Sequence, residues 1–449
     1  MAAKDADTDP RRLFAASVVA KLRDARFEAL WAGGCVRDQL MGKEPYDYDV
    51  ATSATPEEVR RCFGHRRTIA IGAAFGVITV LGSRREGQVE VATFRSDAAY
   101  SDGRHPDHVT FSTAREDALR RDFTINGLFY DPVRDEVIDY VGGQADLAAG
   151  LVRAIGDPFA RFNEDKLRML RAARFAAAFG FQLDSHTFAA IRREARGLTV
   201  VSAERIAAEL RKMLVHANRA RAVQLLHALG LLEIILPEFT LVMAPEATAT
   251  GEQRAAPSAD PGEGVCAHRA WHETLAVLSA LPPPTFRTAL AALLWGIYQR
   301  SETPSRTIAE ICDRWKLSSH EAKGAAWLLA QERLIRRASA RPWPEVQRVL
   351  VSEAVDELLA LAGAVGQGVE RDSANVAFCR ERLRWPPEKL NPPPLVTGDD
   401  LRDAGIPSGP VFREILTAVR DAQLEGRVAD RGQAMELARR IAAEGGGTP

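Results

Sequence analysis

The feature that most constrains this chain is a change of pattern near residue 157. Before it, strand-like runs at 76–81, 89–94 and 137–141 are separated by Gly-bearing turns and by a helix-compatible stretch that begins near Cys35. After it, Ala-, Leu- and Arg-rich segments of about 12–18 residues read as helix almost to the end. Gly180, Gly230, Pro237 and the prolines at 282–284 punctuate them. The expected fold is therefore α+β: a small mixed sheet with helices, followed by all-helical domains.

At roughly 150 residues per domain, 449 residues suggest about three domains. The breaks refine this to four parts, 1–155, 156–220, 221–385 and 386–449, the last opening on the proline-rich WPPEKLNPPP at 385–394. Residues 244–264, rich in Pro, Gly, Ala and charge, are expected to form a mobile loop. No apolar run reaches the ~18–20 residues of a membrane span, and the N-terminal MAAKDADTDPRRLF lacks a signal-peptide core. Cys35, Cys62, Cys266, Cys312 and Cys379 are scattered and never form a CxxC pair, which argues against a disulfide framework or zinc cluster and for a reducing cytoplasm.

The formal net charge is only −1, but residues 153–221 hold 14 Arg+Lys against 7 Asp+Glu, a local +7. Such a stretch attracts phosphate whatever the total charge.

Three constellations carry chemistry. In LWAGGCVRDQLMGKEPYDYDVAT, residues 30–52, Gly33 and Gly34 follow a short apolar run and precede a helix that begins near Cys35 and carries Arg37, a place where backbone can approach a phosphate closely. Asp47 and Asp49, one residue apart, would share a face of an extended strand. Paired hard oxygen ligands suit Mg²⁺. Together the halves form the arrangement that two-metal phosphoryl transfer requires. Glu90, on a later strand, fits either a third acid or a surface strand residue.

In RRDFTINGLFYDP, residues 120–132, Arg120 and Arg121 have the reach for phosphate oxygens, and Asp122 and Asn126 for a ribose; a capped amphipathic segment is the alternative. In RFNEDKLRMLRAARF, residues 161–175, a continuous helix would bring Glu164, Arg168 and Arg171 within about 60° of one another, with Asp165 at the flank. Leu167, Met169, Leu170, Ala173 and Ala177 would form the opposite, apolar arc. The charged face suits either a salt-bridged surface or base reading. Cytosine and adenine both present an exocyclic amine beside an unprotonated ring nitrogen, which a carboxylate and a guanidinium match; guanine and uracil present the reverse.

GGCVRD, DYD, RRDFTIN, FNEDKLRMLRAARF and SAERIAAEL, in that order across residues 30–210, resemble the class II tRNA nucleotidyltransferase and bacterial poly(A) polymerase family. The resemblance implies a polymerase-β-like head, then helical neck, body and tail, and addition of CMP and AMP to RNA 3′ ends without a nucleic-acid template. It makes Asp47 and Asp49 the catalytic metal ligands and assigns nucleotide contacts to Arg120, Asp122 and Asn126. Asp165 and Arg168 become the amino-acid template, supported by Glu164 and Arg171, with Arg205 and Glu209 bracing the helix. DYVGGQADL, 139–147, resembles the family's head-to-neck link, and 394–426 its C-terminal helical segment, which touches the tRNA body in such enzymes. The implied partners are the tRNA 3′ end, CTP and ATP, and no membrane.

Two departures narrow the choice. Some bacterial members carry a His-Asp phosphohydrolase dyad in the body; here ALAALLWGIYQR, 289–300, has Trp295 and Gly296 at those places. His268 and His272 remain, four apart, and are read as a remnant or packing pair rather than a metal site. TIAIGAAFGVITV, 68–80, is closer to the CCA-adding pattern than to a poly(A) polymerase, and the segment 95–111 resembles the loop that A addition needs. Complete CCA addition and A addition alone both remain open. A non-catalytic RNA-binding descendant would have eroded the acidic pair, which is intact.

Overall fold

The computed structural model describes residues 9–72, 75–97, 109–243, 269–406 and 409–445. The chain divides into two units, 1–239 and 240–449.

The first unit begins with a mixed sheet. Its strands are β1 (Ala29–Ala32), β2 (Asp49–Thr52), β3 (Thr68–Ile69), β4 (Val77–Leu81) and β5 (Gln88–Thr93). A two-stranded ribbon, β6 (Arg95–Asp97) with β7 (Val109–Phe111), precedes β8 (Leu128–Asp131) and β9 (Glu136–Asp139). The spatial order is β3-β4-β5-β2-β1-β8-β9. Strands expected at 76–81, 89–94 and 137–141 are β4, β5 and β9, each shifted by a residue or two.

Side-chain alternation decides what each face carries. Trp31, Val50, Val89 and Val91 turn into one core with Phe14, Val18 and Leu22 of α1 (Pro10–Asp24), joined by Val59 and Phe63. Leu30, Ala32 and Ala51 turn to the other face, with Phe94, Phe129, Ala114 and Ala118. By the same alternation Asp49 and Glu90 belong to this second face, and β2 and β5 run parallel with Asp49 opposite Glu90.

Helices α2 (Gly34–Leu40), α3 (Pro56–Phe63), α4 (Ala114–Leu119) and α5 (Gly143–Ala148) intervene between strands. Beyond them come α6 (Pro158–Glu164), α7 (Leu167–Phe179), α8 (Ser185–Glu194), α9 (Ala203–Leu214) and α10 (Arg219–Ala228). Gly180, at φ +75°, ends α7 as a left-handed cap. A last short strand pair, Leu151–Val152 with Gln182–Leu183, joins the sheet's end to this helical part.

The continuous helix expected over 161–175 is instead two, α6 and α7. The chain is extended at Asp165 (φ −146°, ψ 106°). Its carboxylate Oδ1 accepts from the Leu167 N–H (3.0 Å), an Asx turn that competes with the helical bond.

The second unit is helical. Helices Arg269–Ala280, Phe286–Arg300, Ser319–Ile335 and Val355–Val365 pack together, and Gly398–Asp403, Pro410–Leu424 and Arg431–Gly445 close over a small core of Leu401, Ile415, Val419 and Ala438. Trp295 and Gly296 lie buried on Phe286–Arg300. The Trp295 indole N–H donates to Glu332 (3.4 Å), a carboxylate with no exposure that also pairs with Arg336. His272 is exposed, so the expected packing role does not hold; His268 and the 244–264 stretch lie outside the described residues. Among the described residues no helix is long and apolar enough to cross a membrane, and Cys35, Cys62, Cys312 and Cys379 are free thiols.

A Cβ on Gly296 would sit 2.7 Å from Thr274 Oγ1, which is buried and bonded to the Ala270 carbonyl. Gly296→Ala is therefore expected to cost about 1–3 kcal/mol, read as a lower urea midpoint; an unchanged midpoint would show that Thr274 yields freely.

Candidate active site

The sheet face that carries Asp49 and the start of α7 line an open cavity of about 670 Å³. Its walls include Gly33, Gly34, Arg37, Asp47, Asp49, Arg120, Asp122, Asn126, Asp165, Arg168 and Arg171. The three separate sequence segments thus open onto one space. Glu90 and Glu164 are not in the wall.

Gly33 ends β1 with φ +72°, a conformation L side chains rarely adopt, and a Cβ there would lie 2.7 Å from Arg121 Nη1. Gly34 is different: a Cβ on it would make only ordinary contact, 3.7 Å from Arg37. Helix α2 starts at Gly34 with no side-chain cap on its first turn.

Asp49 is the first residue of β2, whereas Asp47 lies just before the strand, so the acidic pair straddles the strand's start instead of riding on it. Both are exposed to the cavity, and Tyr48 between them is buried against Trp31, ring centroids 4.9 Å apart. The protein surround, then the charges of Asp47 and Glu90, push the Asp49 carboxyl up to about 6, with Arg121 pulling the other way. Although its side chain is open to solvent, the charge is crowded on the protein side. Unrelieved negative charge on hard oxygens fits a divalent cation, held by Asp47 and Asp49. Glu90 is a neighbouring carboxylate; among the described residues no group of three or more acids, His or Cys closes into a metal cluster.

The neighbouring carboxylates Asp117 and Asp122 are satisfied internally. Buried Asp117, which the sequence did not single out, accepts from Arg120 Nε (2.8 Å) and Nη2 (2.6 Å) on one oxygen and from Arg121 Nε (3.1 Å) and Nη2 (3.0 Å) on the other. Its only signal was its i, i+3 and i, i+4 spacing to the two arginines. Arg37 Nη1 donates to Asn126 Oδ1 (2.6 Å), Asn126 Nδ2 to Asp122 Oδ1 (3.0 Å), and Arg171 Nε to Asp122 Oδ2 (2.7 Å). The Phe123 N–H also donates to Asp122 (2.8 Å). Burial alone would raise the Asp122 carboxyl, but the Arg171 charge and these hydrogen bonds outweigh it and hold it below its usual range. The expected ribose contact of Asp122 competes with all of them.

Arg168 is buried and donates to Glu164 (2.5 Å), to the Arg161 carbonyl (3.1 Å) and to the Arg120 carbonyl (3.3 Å). Asp165 Oδ2 accepts from Arg205 (2.7 Å), and Glu209 pairs with Arg174 (2.6 Å), so α9 braces the start and middle of α7. Beneath the arginines lie stacked Phe175 and Phe179, with Arg174 and Arg171 over the first ring and Arg37 over the second. Arg95, Arg174, Phe175 and Lys212 also line the cavity without having been singled out.

Comparison with known proteins finds relatives over nearly the whole chain. The Poly A polymerase head domain model matches residues 29–153, and the model for the probable RNA and SrmB-binding site of polymerase A matches 180–243. A CCA-adding enzyme of Lactobacillus johnsonii is 32% identical over 93% of this chain and 94% of its own length. That of Enterococcus faecalis is 44% identical, over 46% of this chain and 50% of that enzyme. The structure of Bacillus stearothermophilus CCA-adding enzyme in complex with CTP superposes with a TM-score of 0.72 at 27% identity, covering 97% of this chain and 98% of that one.

The relay predicts an acid-dependent phenotype. Because the Asp122 carboxyl is held low, its contribution to stability is present above the unfolded-state value and lost as pH falls through the folded one. Asp122→Asn leaves Arg171 without its counter-charge, and because about a third of the Arg171 side chain stays in solvent, about 1–3 kcal/mol should disappear at pH 7. In paired urea denaturations the difference from wild type should shrink as pH drops below ~4; a gap that persists undiminished would refute the charge argument.

Proposed function

Because the chain belongs to the CCA-adding enzyme family, as its match to the Lactobacillus johnsonii member across 94% of that protein shows, we propose that it adds CMP and AMP, from CTP and ATP, to the 3′ end of tRNA. The observation that carries this reading is that one cavity wall holds the acidic pair, Asp47 and Asp49, the Asp165/Arg168 pair and a cluster of arginines.

In this reading residues 1–155 are the catalytic head, 156–220 the neck, 221–385 the body and 386–449 a tRNA-binding tail. Asp47 and Asp49 hold a divalent cation, for which Mg²⁺ suits the oxygen ligands. When bound, such a cation neutralises charge around the reacting phosphate and makes the attacking hydroxyl more acidic. The Gly33–Gly34 backbone leaves room for the triphosphate. Arg120 and Arg121, already oriented by Asp117, take up charge on the departing pyrophosphate as the tRNA 3′ oxygen bonds to the α-phosphorus. Arg37, Asn126, Asp122 and Arg171 act as a connected frame around the sugar. Asp165 accepts from the exocyclic amine and Arg168 donates to the ring nitrogen of cytosine or adenine. The direct test incubates the protein with tRNA ending in the discriminator base, CC or CCA, with each nucleotide alone and together. Growth only from CC would leave an A-adding enzyme, and long A tails a poly(A) polymerase.

Asp47→Ala and Asp49→Ala should each lower addition on the order of a thousandfold while tRNA affinity stays within about twofold, and chelator should stop the wild type until Mg²⁺ is restored. Near-wild-type activity in either variant would sink the metal assignment.

Asp165→Ala and Arg168→Ala should each reduce CTP and ATP use about ten- to a hundredfold, at roughly 1.5–3 kcal/mol per charged hydrogen bond, and narrow the margin over UTP and GTP. Variants that melt with wild type but keep its CTP-to-UTP ratio would reduce the pair to a structural brace.

A further inference from the structure

We propose that Arg161, which is absent from the cavity wall, is a positioning residue for base choice that holds the plane of Arg168 from outside the site. The inference rests on the nucleotidyl-transfer reading above. Arg161 is on α6, three residues before Glu164, and an i, i+3 ion pair on a helix is ordinarily worth little. Here, however, the whole guanidinium is engaged, and the side chain is only 16% exposed. Nε donates to the Ile155 carbonyl (3.0 Å), Nη1 to Glu164 Oε2 (2.8 Å), and Nη2 to the Leu119 carbonyl at the end of α4.

Arg168 repeats the pattern one step along. Its Nη1 reaches the same Glu164 oxygen (2.5 Å), and its Nη2 the Arg120 carbonyl (3.3 Å), the next along the chain after Leu119. Two guanidiniums thus share one carboxylate and two successive carbonyls, and of the two only Arg168 opens onto the cavity. The sharing matters because the helix is broken between them. With the chain extended at Asp165, the regular backbone ladder does not carry the register of α6 into α7. Glu164 is the last residue of α6, and its side chain is 31% exposed. Without Arg161 it keeps Arg168 as partner but can swing toward solvent, and Arg168 then loses the bond that stops its plane from turning. A turned guanidinium no longer presents its donor to the ring N–H of guanine or uracil, which removes the repulsion that rejects them.

The test measures kcat/KM for CTP and UTP, on tRNA ending in the discriminator base, for the full chain as wild type, Arg161→Ala, Arg161→Lys, Glu164→Gln and the double variant Glu164→Gln with Arg161→Ala; the urea midpoint of each reports folding. Arg161→Ala should lower the CTP-to-UTP ratio about tenfold while KM for tRNA stays within about twofold. Arg161→Lys keeps a charge for Glu164 but cannot span both carbonyls, and should lower the ratio about threefold. On the Glu164→Gln background Arg161→Ala should change the ratio by less than about twofold, because its route through the carboxylate is already gone. A wild-type ratio in folded Arg161→Ala, or in Arg161→Lys where alanine does not fold, overturns the proposal, and so does an undiminished tenfold fall on the Glu164→Gln background. Wild-type protein that adds no nucleotide, or uses UTP as readily as CTP, overturns the parent reading and this inference with it.

Discussion

The geometry of the cavity depends on one relay of charged hydrogen bonds, Arg37 to Asn126 to Asp122 to Arg171. It starts on the helix after the Gly33 turn and ends on α7, so it sets the distance between the part that would hold phosphates and the part that would hold the base. Arg37, Asn126 and Asp122 are all buried. A buried ion pair seldom adds much net stability over an apolar substitute, because desolvation offsets the attraction, whereas one stranded charge is costly. The value of the relay is therefore directional. Phe175 and Phe179 reinforce it from below, since a guanidinium over a ring keeps its plane only while the ring stays put.

The acids around this relay fall into two classes. Asp117 and Asp122 are buried but each meets arginine and hydrogen-bond donors, which hold their carboxyls low despite burial. Asp49 receives crowding and two like charges, with only Arg121 in opposition, and is pushed up to about 6. A carboxyl raised in the folded state favours folding while protonated, and that contribution is lost as pH rises through about 6. The fold thus tolerates a strained charge at one point alone among these three acids, the one that is itself exposed, whereas Asp117 and Asp122 are buried. Charge left unsatisfied by its own protein is what an external cation or reacting group can use.

This division was partly legible from sequence. The GG turn, the acidic pair and the basic RRD run, each a local pattern, marked segments that the structure brings to one cavity, and the change at residue 157 separated sheet from helices. What local pattern could not give was the partner of each charge. Asp117 reads as an ordinary first-turn acid until its helix is seen to end under Arg120 and Arg121. Arg205 meets Asp165 across 40 residues of sequence. The break at Asp165 escaped periodicity because no Gly or Pro marks it: Lys166 and Leu167 are good helix formers, and the interruption comes from a carboxylate binding a backbone N–H two residues on. The packing alternative for His272 failed for the opposite reason, since its i, i+4 spacing to His268 carries no information about which way the helix faces.

The break also bears on selectivity. On a continuous helix Asp165 would stand about 100° around the axis from Glu164 and ~60° short of Arg168's position one turn on. With the chain extended at Asp165, carboxylate and guanidinium both line one cavity. Each is then held by another group: Asp165 by Arg205 and the Leu167 N–H, Arg168 by Glu164 and two carbonyls. In the proposed reading guanine or uracil could be accepted only if donor and acceptor exchanged places, and neither side chain can turn away without giving up those bonds. The contacts that fix the pair are thus the ones that enforce rejection, so weakening Glu164, which lies outside the cavity wall, or Arg205 should blur the choice of base.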